Sequence, residues 1–460
     1  MKVQERDRQM TEISPNEYFG PELRDRVISA YSIPEKYFTE KVKRGLRNSD
    51  GTGVMAGVTR IGRVIGYNIE DGEIVPAPGR LYYRGINVVD IVKAHVESGT
   101  FGYEEVAYLL LMGMLPDSEQ FEQFDSILSR ARILPHNFTE DMIIKSPSPN
   151  VMNKLARCVL ALYSYDPNPD DTSLENMLRQ SIELIARFPV IVANAYAVKR
   201  HRFDHDSLFI HIPDESLSVS ENFLSMLRHD KSYTPDEAHL LDLWMILHAE
   251  HGGGNNSAFV CRALSSTGTD TYSAIAGAVC SLKGPLHGGA NSRVQAMINS
   301  VKENVSDPGD DAAMSAFLTK ILNREAGDGS GKIYGLGHAV YTESDPRAEV
   351  LKVYAERMAH SKDMVEDFEY LRSIERNGSR LIVERKNLST PICANVDLYS
   401  GFVIRMLGIP DELFTPLFAL SRISGWCAHR IEEVISSKRI MRPAYRAAVA
   451  DTPYVPMDRR

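Results

Sequence analysis

Apolar residues recur at three- and four-residue intervals along most of this chain, and strict alternation is confined to one short region. In "YTPDEAHLLDLWMILHAEH", Leu240, Leu241, Trp244, Leu247 and His248 fall on one helical face. Thr234 suits the N-cap, Pro235 the first helical position, and Glu237 completes a capping box, so the pattern fixes where this helix begins. His248 and His251 therefore come at its C-terminal end. "SDPRAEVLKVYAERMA" repeats the device, with Asp345 ahead of Pro346 and Leu351, Tyr354, Ala355 and Met358 along one face. "IPDELFTPLFALSRISGWCAHRIEEVI" predicts a third strong helix whose start Pro416 kinks or shifts. Alternation appears only over 53–85, where "GVTRIGRVIGYNIEDGEIV" and "RLYYRGI" are separated by Asp-Gly and Pro-Gly turn signals. No strand–helix–strand repeat follows, so the fold class is mostly α with a small β element near the N-terminus. Stretches 146–150, 165–173 and 327–337 read as linkers.

A chain of 460 residues exceeds what one compact core ordinarily holds, which points to two domains. Its 43% hydrophobic and 25% charged residues are those of an ordinary globular protein. A formal net charge of −9 argues against nucleic acid or an anionic membrane as partner. Any anionic ligand must then be held by a local cluster of cations. The opening "MKVQERDRQMTEISP" carries acids and no apolar core, and the apolar runs at 106–115 and 243–247 are too short to span a bilayer. The expectation is a cytoplasmic protein without a membrane partner. Cys158, Cys261, Cys280, Cys393 and Cys427 show no paired spacing and are expected to be buried, inert thiols.

Two glycine-rich stretches imitate nucleotide loops and fail on inspection. "AGDGSGKI" has Ala326 where the first glycine of a phosphate loop belongs and Ile333 in place of its Ser or Thr, and "GLGHAV" has Val340 where a dinucleotide fingerprint needs glycine. Four other segments put polar groups where packing does not ask for them: "LHAEHGGGNNS", "GPLHGGANS", "YGLGHAVYTESDPR" and "CANVDLYSGFV". His248 in apolar surroundings reads as a satisfied core histidine. His287 and His338 are flanked by glycines, which a core histidine does not need. A helix start just after His287 would favour its neutral ring. Asp397, two residues past Asn395, suits the first turn of a helix as well as a catalytic role. Arg422 on an apolar helical face requires an anion. His248 and His251 are three apart and lack the HExxH pattern, so no metal site is expected.

"HGGAN", "GLGHAVYTESDPR", "NVDLYSG", "FALSRISGW" and "RP", in this order over about 225–445, resemble the citrate synthase family, with a weaker echo in "LYYRGINVVDIV". The resemblance implies condensation of oxaloacetate with acetyl-CoA to citryl-CoA and its hydrolysis to citrate and CoA, with 2-methylcitrate synthesis from propionyl-CoA as the alternative. It implies His287, His338 and Asp397 as catalytic residues, His251, Arg347, Arg422 and Arg442 as oxaloacetate ligands, and Gly335, Leu336 and Gly337 as a CoA-binding loop. It further implies a multi-helical fold with a large domain (1–287 and 391–460) and a closing small domain (288–390), no cofactor, and a homodimer in which Arg442 reaches the partner's site. Between His338 and Arg347, "AVYTESDP" lacks the basic residue some relatives carry near the CoA phosphates.

Overall fold

The computed structural model describes residues 21–460 apart from 40, 49–51, 71, 72, 389 and 391. The opening stretch at 1–15 and the Asp71-Gly72 turn signal lie outside the described residues. Residues 56–441 form one compact unit, and the two ends of the chain, up to Met55 and from Arg442, form another. The proposed small domain, 288–390, lies inside the 56–441 unit.

The fold is mostly α with one small sheet, as the patterning indicates. The sheet is an antiparallel hairpin of β1 (Gly62–Glu70) and β2 (Glu73–Tyr83) with a short β3 (Ile86–Asn87) beside β2. Its register is regular except at one bulge: Ile65 faces Arg80 and Tyr67 faces Pro76, so residues 77–79 of β2 lie opposite Gly66 alone. The helices run in order as α1 (Pro21–Tyr31), α2 (Val88–Ser98), α3 (Tyr103–Met112), α4 (Ser118–Arg130), α5 (Val151–Leu162), α6 (Leu174–Phe203), α7 (Val219–Leu227) and α8 (Pro235–His248). They continue as α9 (Asn256–Ser265), α10 (Thr271–Lys283), α11 (Ala290–Asn304), α12 (Asp311–Leu322), α13 (Pro346–Ser361), α14 (Val365–Lys386), α15 (Val396–Met406) and α16 (Phe414–Ser436).

The caps read from the sequence are present. Thr234 and Glu237 form the reciprocal capping box of α8, and Asp345 accepts the Arg347 N–H at the start of α13. Pro416 falls in the first turn of α16, where no intrahelical N–H is needed, and so it neither kinks nor ends the helix. At the centre, α16 packs on α3, α6, α8, α9 and α10, and its Trp426 is buried together with Trp244 of α8.

Two expectations need correction. Among the described residues the segment long and apolar enough to cross a bilayer is α6, not the shorter runs at 106–115 and 243–247. In the fold 78% of its apolar window is buried within the protein, which marks a central core helix. Cys158, Cys261, Cys393 and Cys427 are buried, but Cys280 is exposed. On α10 the buried residues include Ala274, Ile275, Ala276, Ala278, Val279 and Leu282, whereas Cys280, near the helix end at Lys283, is exposed.

Candidate functional site

The end of α8, the segment 335–347 and the middle of α16 bring His248, His251, His338, Arg347 and Arg422 together. His248, the last residue of α8, is fully buried, donates from Nδ1 to Trp244 O (2.7 Å) and stacks on the Trp244 ring. The satisfied core reading of it is half right, because its Nε2 has no partner among the described residues. His251 lies three residues on, its Nε2 3.2 Å from the Tyr341 hydroxyl and its ring centre 5.3 Å from that of His338. Burial, reinforced by the Arg347 charge, holds both His248 and His251 well below the ordinary histidine range, so both rings are neutral.

His338 accepts the N–H groups of Val340 and Tyr341 at Nδ1 (3.0 and 3.1 Å). Backbone N–H groups can only donate, so the proton of the neutral ring is assigned to Nε2. Arg347, buried in the first turn of α13, pairs with Asp345 through Nε (3.0 Å) and Nη2 (2.7 Å). Burial opposes its charge, but the Asp345 carboxylate holds the guanidinium above its ordinary range. Arg422 is completely buried and uses Nε on His248 O (2.6 Å), while Nη1 and Nη2 have no hydrogen-bond partner among the described residues. Burial pulls it down to about 10, against the opposing charge of Glu250, so it stays a cation at neutral pH. Two unpaired N–H-bearing nitrogens on a buried cation are a ready receptor for a carboxylate.

His287 lies in the turn between α10 and α11. Its Nε2 is 3.3 Å from the Ser257 N–H and 3.0 Å from the Ser257 hydroxyl. The backbone donor assigns the neutral ring's proton to Nδ1. Burial, helped by the Arg422 charge, lowers His287 to about 4. The sequence expectation of a neutral ring stands, but the helix end touching it belongs to α9, whose first turn contains Ser257, and not to α11. Gly288 also has a different reason from ligand access: a Cβ there would lie 2.6 Å from Thr415 Cγ2 and collide with Leu282 O.

Asp397 sits in the first turn of α15 behind its cap Asn395, whose Oδ1 accepts the Asp397 N–H (3.0 Å). Burial lifts its carboxyl to about 6, with Arg347 opposing. The residue lines a cavity of about 330 Å³ together with Gly335, Leu336, Gly337 and Lys332. The glycine loop is tied to this helix start by Asn395 N–H to Gly335 O (2.9 Å) and Asn395 Nδ2 to Gly337 O (2.8 Å). Of the residues singled out in the sequence, Arg442 is the one that belongs to the terminal unit, and the rest belong to the 56–441 unit.

Sequence reasoning missed a buried Glu250–His429–Arg262 hydrogen-bonded chain behind this site. Glu250, between the two histidines of "HAEH", lies 2.9 Å from His429 Nε2, and both side chains are fully buried. Arg262 donates from Nη1 to His429 Nδ1 (2.9 Å) and pairs with Glu432 through Nη1 and with Glu433 through Nη2. Burial alone would raise Glu250, but His429 and the Arg422 charge hold it below the ordinary carboxylate range. A histidine at position 429 in the apolar run "GWCAH" was the available signal.

A family model described as "Citrate synthase, C-terminal domain" matches residues 50–444. The chain is 37% identical over 353 residues to the citrate synthase of Deinococcus radiodurans, covering 76% of this chain and 86% of the relative. It is 33% identical to the 2-methylcitrate synthase of Shewanella oneidensis, covering 79% and 87%. Among solved structures, the Thermoplasma acidophilum citrate synthase in ternary complex with carboxymethyl coenzyme A and oxaloacetate superimposes with a TM-score of 0.73 at 27% identity, covering 91% of this chain and 100% of that one. The Thermotoga maritima citrate synthase gives 0.69 at 30% identity, covering 90% and 99%. With the model spanning most of the chain and relatives above 30% identity along most of its length, this protein is an enzyme, a transferase belonging to the citrate synthase family.

Proposed function

We propose that this chain makes citrate with the following division of labour. Oxaloacetate, a dianion, binds between Arg347 and Arg422 with His251 and His338 beside it. The supporting observation is the buried Arg422, whose Nη1 and Nη2 lack hydrogen-bond partners among the described residues, next to three neutral or proton-assigned imidazoles. Acetyl-CoA lies along the Gly335–Gly337 loop with its methyl group at Asp397. Asp397 removes a methyl proton, and the electron pair moves onto the thioester oxygen as an enolate. His287 donates from Nδ1 to that oxygen, a preorganised donor of a kind worth about 2.7–4 kcal/mol. The enol carbon attacks the ketone carbon of oxaloacetate, and His338 gives its Nε2 proton to the new alkoxide. Water then cleaves the citryl thioester, releasing citrate and the CoA thiol. No step calls for a cofactor or a metal.

A homodimer is part of this proposal. Arg442 comes from a tail whose one helical turn is the 3-10 turn Met457–Arg459, and the family resemblance supports its reaching a second copy's oxaloacetate. The experiment that tests the substrate is a steady-state comparison of acetyl-CoA and propionyl-CoA with oxaloacetate, following thiol release. Acetyl-CoA is expected to give the higher kcat/KM. A higher value with propionyl-CoA makes the enzyme a 2-methylcitrate synthase, and no thiol from either removes the proposal.

A further inference from the structure

The β1–β2 hairpin does more than decorate the helical body. In "EIVPAPGRL", Pro76 and Pro78 have no N–H, so over 76–79 only Ala77 and Gly79 can donate. The bulge sets both of them opposite Gly66, where the ladder offers no cross-strand partner. The partners come from 265 residues away. Ala77 N–H donates to the Thr342 hydroxyl (3.2 Å) and Gly79 N–H to the Ser344 hydroxyl (3.1 Å). The Thr342 hydroxyl in turn donates to Gly66 O, so one side chain bridges both strands. Backbone contact is equally close. A Cβ on Gly66 would lie 2.5 Å from Tyr341 Cα and collide with Val340 O, and one on Gly79 would lie 2.7 Å from the Tyr341 ring.

The latched stretch is flanked by substrate-facing groups. On one side, the N–H groups of Val340 and Tyr341 orient the His338 ring. On the other, Ser344 immediately precedes Asp345, which caps α13 and grips Arg347. A glycine-rich run such as 335–337 gains much freedom if released, so pinning 342 and 344 restrains the segment between the two.

We propose that Thr342 and Ser344 are positioning residues that latch the 338–347 segment into the hairpin bulge of the ligand-free enzyme, so that oxaloacetate meets a preformed His338–Arg347 pair. This rests on the reading of those two residues as oxaloacetate ligands. Without the latch the competent arrangement is only fractionally populated, and apparent affinity falls by that fraction while the fully bound enzyme turns over normally.

The test uses full-length Thr342→Val, which keeps the shape and removes the hydroxyl, beside Thr342→Ser, which keeps the hydroxyl. Oxaloacetate affinity is measured by calorimetry, with kcat and KM alongside. Thr342→Val is expected to weaken oxaloacetate binding about five- to tenfold and raise its KM to match, with kcat within about twofold of the parent and Thr342→Ser restoring affinity. If Thr342→Val does not fold, Ser344→Ala, which strands the Gly79 N–H, carries the same expectation. Native affinity in the variant overturns the latch, as does equal loss in Val and Ser variants, or a fall in kcat at unchanged KM. Failure of the parent enzyme itself to bind oxaloacetate would instead overturn the reading of the site, which keeps the two failures apart.

Discussion

Asp397→Asn is expected to make the protein more stable while removing its activity. The carboxyl is lifted by burial from its ordinary 3.8 to about 6. Each pKa step of one corresponds to about 1.4 kcal/mol between protonation states, so keeping the native carboxylate ionised costs about 3 kcal/mol above pH 6. The folded value is raised above the unfolded one, and for an acid this means that the folded state binds the proton more readily. The penalty is therefore complete above the folded value, shrinks as pH falls from about 6 towards 3.8, and is gone below that. An amide of the same shape avoids the penalty and keeps the N-terminal geometry of α15. Urea unfolding of parent and variant at pH 7.5 and pH 4 checks both parts: a gain of up to about 3 kcal/mol is expected at the higher pH, and little or none at the lower. A variant equally or less stable at pH 7.5, or a gain that does not change with pH, would refute the reasoning that Asp397 is an unfavourably buried charge.

Three further outcomes follow from the same geometry. kcat/KM for acetyl-CoA is expected to rise through about pH 6 as Asp397 ionises, with no contribution from His287, which burial holds neutral down to about 4; a profile flat down to pH 5 would separate Asp397 from proton removal. Gly425→Ala places a Cβ 2.5 Å from Glu250 Oε2 and against Ala249 O, one turn along α16 from Arg422, and is expected to lower stability by about 1–3 kcal/mol, read as a drop in Tm; an unchanged Tm would mean that the slot is looser than described. Mixing Arg442→Ala chains with Asp397→Asn chains is expected to restore turnover in heterodimers, since one of two shared sites would hold both native residues; no recovery above the two homodimers, with subunit exchange verified, would place Arg442 in its own chain's site.

Local chemistry made the helices that carry the site legible. Thr234-Pro235-Glu237 and Asp345-Pro346 mark the starts of α8 and α13 by capping rules that act within four residues. α6 was missed because it is buried on nearly all sides and so shows no clean amphipathic period, with Pro189 in its interior as a further false signal. The chemical residues stood out by being polar where packing asks for apolar groups. Their partners did not. Ser257 meets His287 across 30 residues, His429 meets Glu250 across 179, and Thr342 meets the hairpin across 265. Each partner is an ordinary residue in its own stretch, and only the packing of distant elements gives it a role.

The most direct test of the catalytic assignment combines turnover and oxaloacetate binding in one variant, Asp397→Asn. The amide cannot accept the methyl proton, and Arg422 and Arg347 keep their full charge beside it. Thiol release is expected to fall by about 10²- to 10⁴-fold while the calorimetric Kd for oxaloacetate stays within about threefold of the parent. Near-native kcat in the variant would show that Asp397 is not the base and would contradict the account.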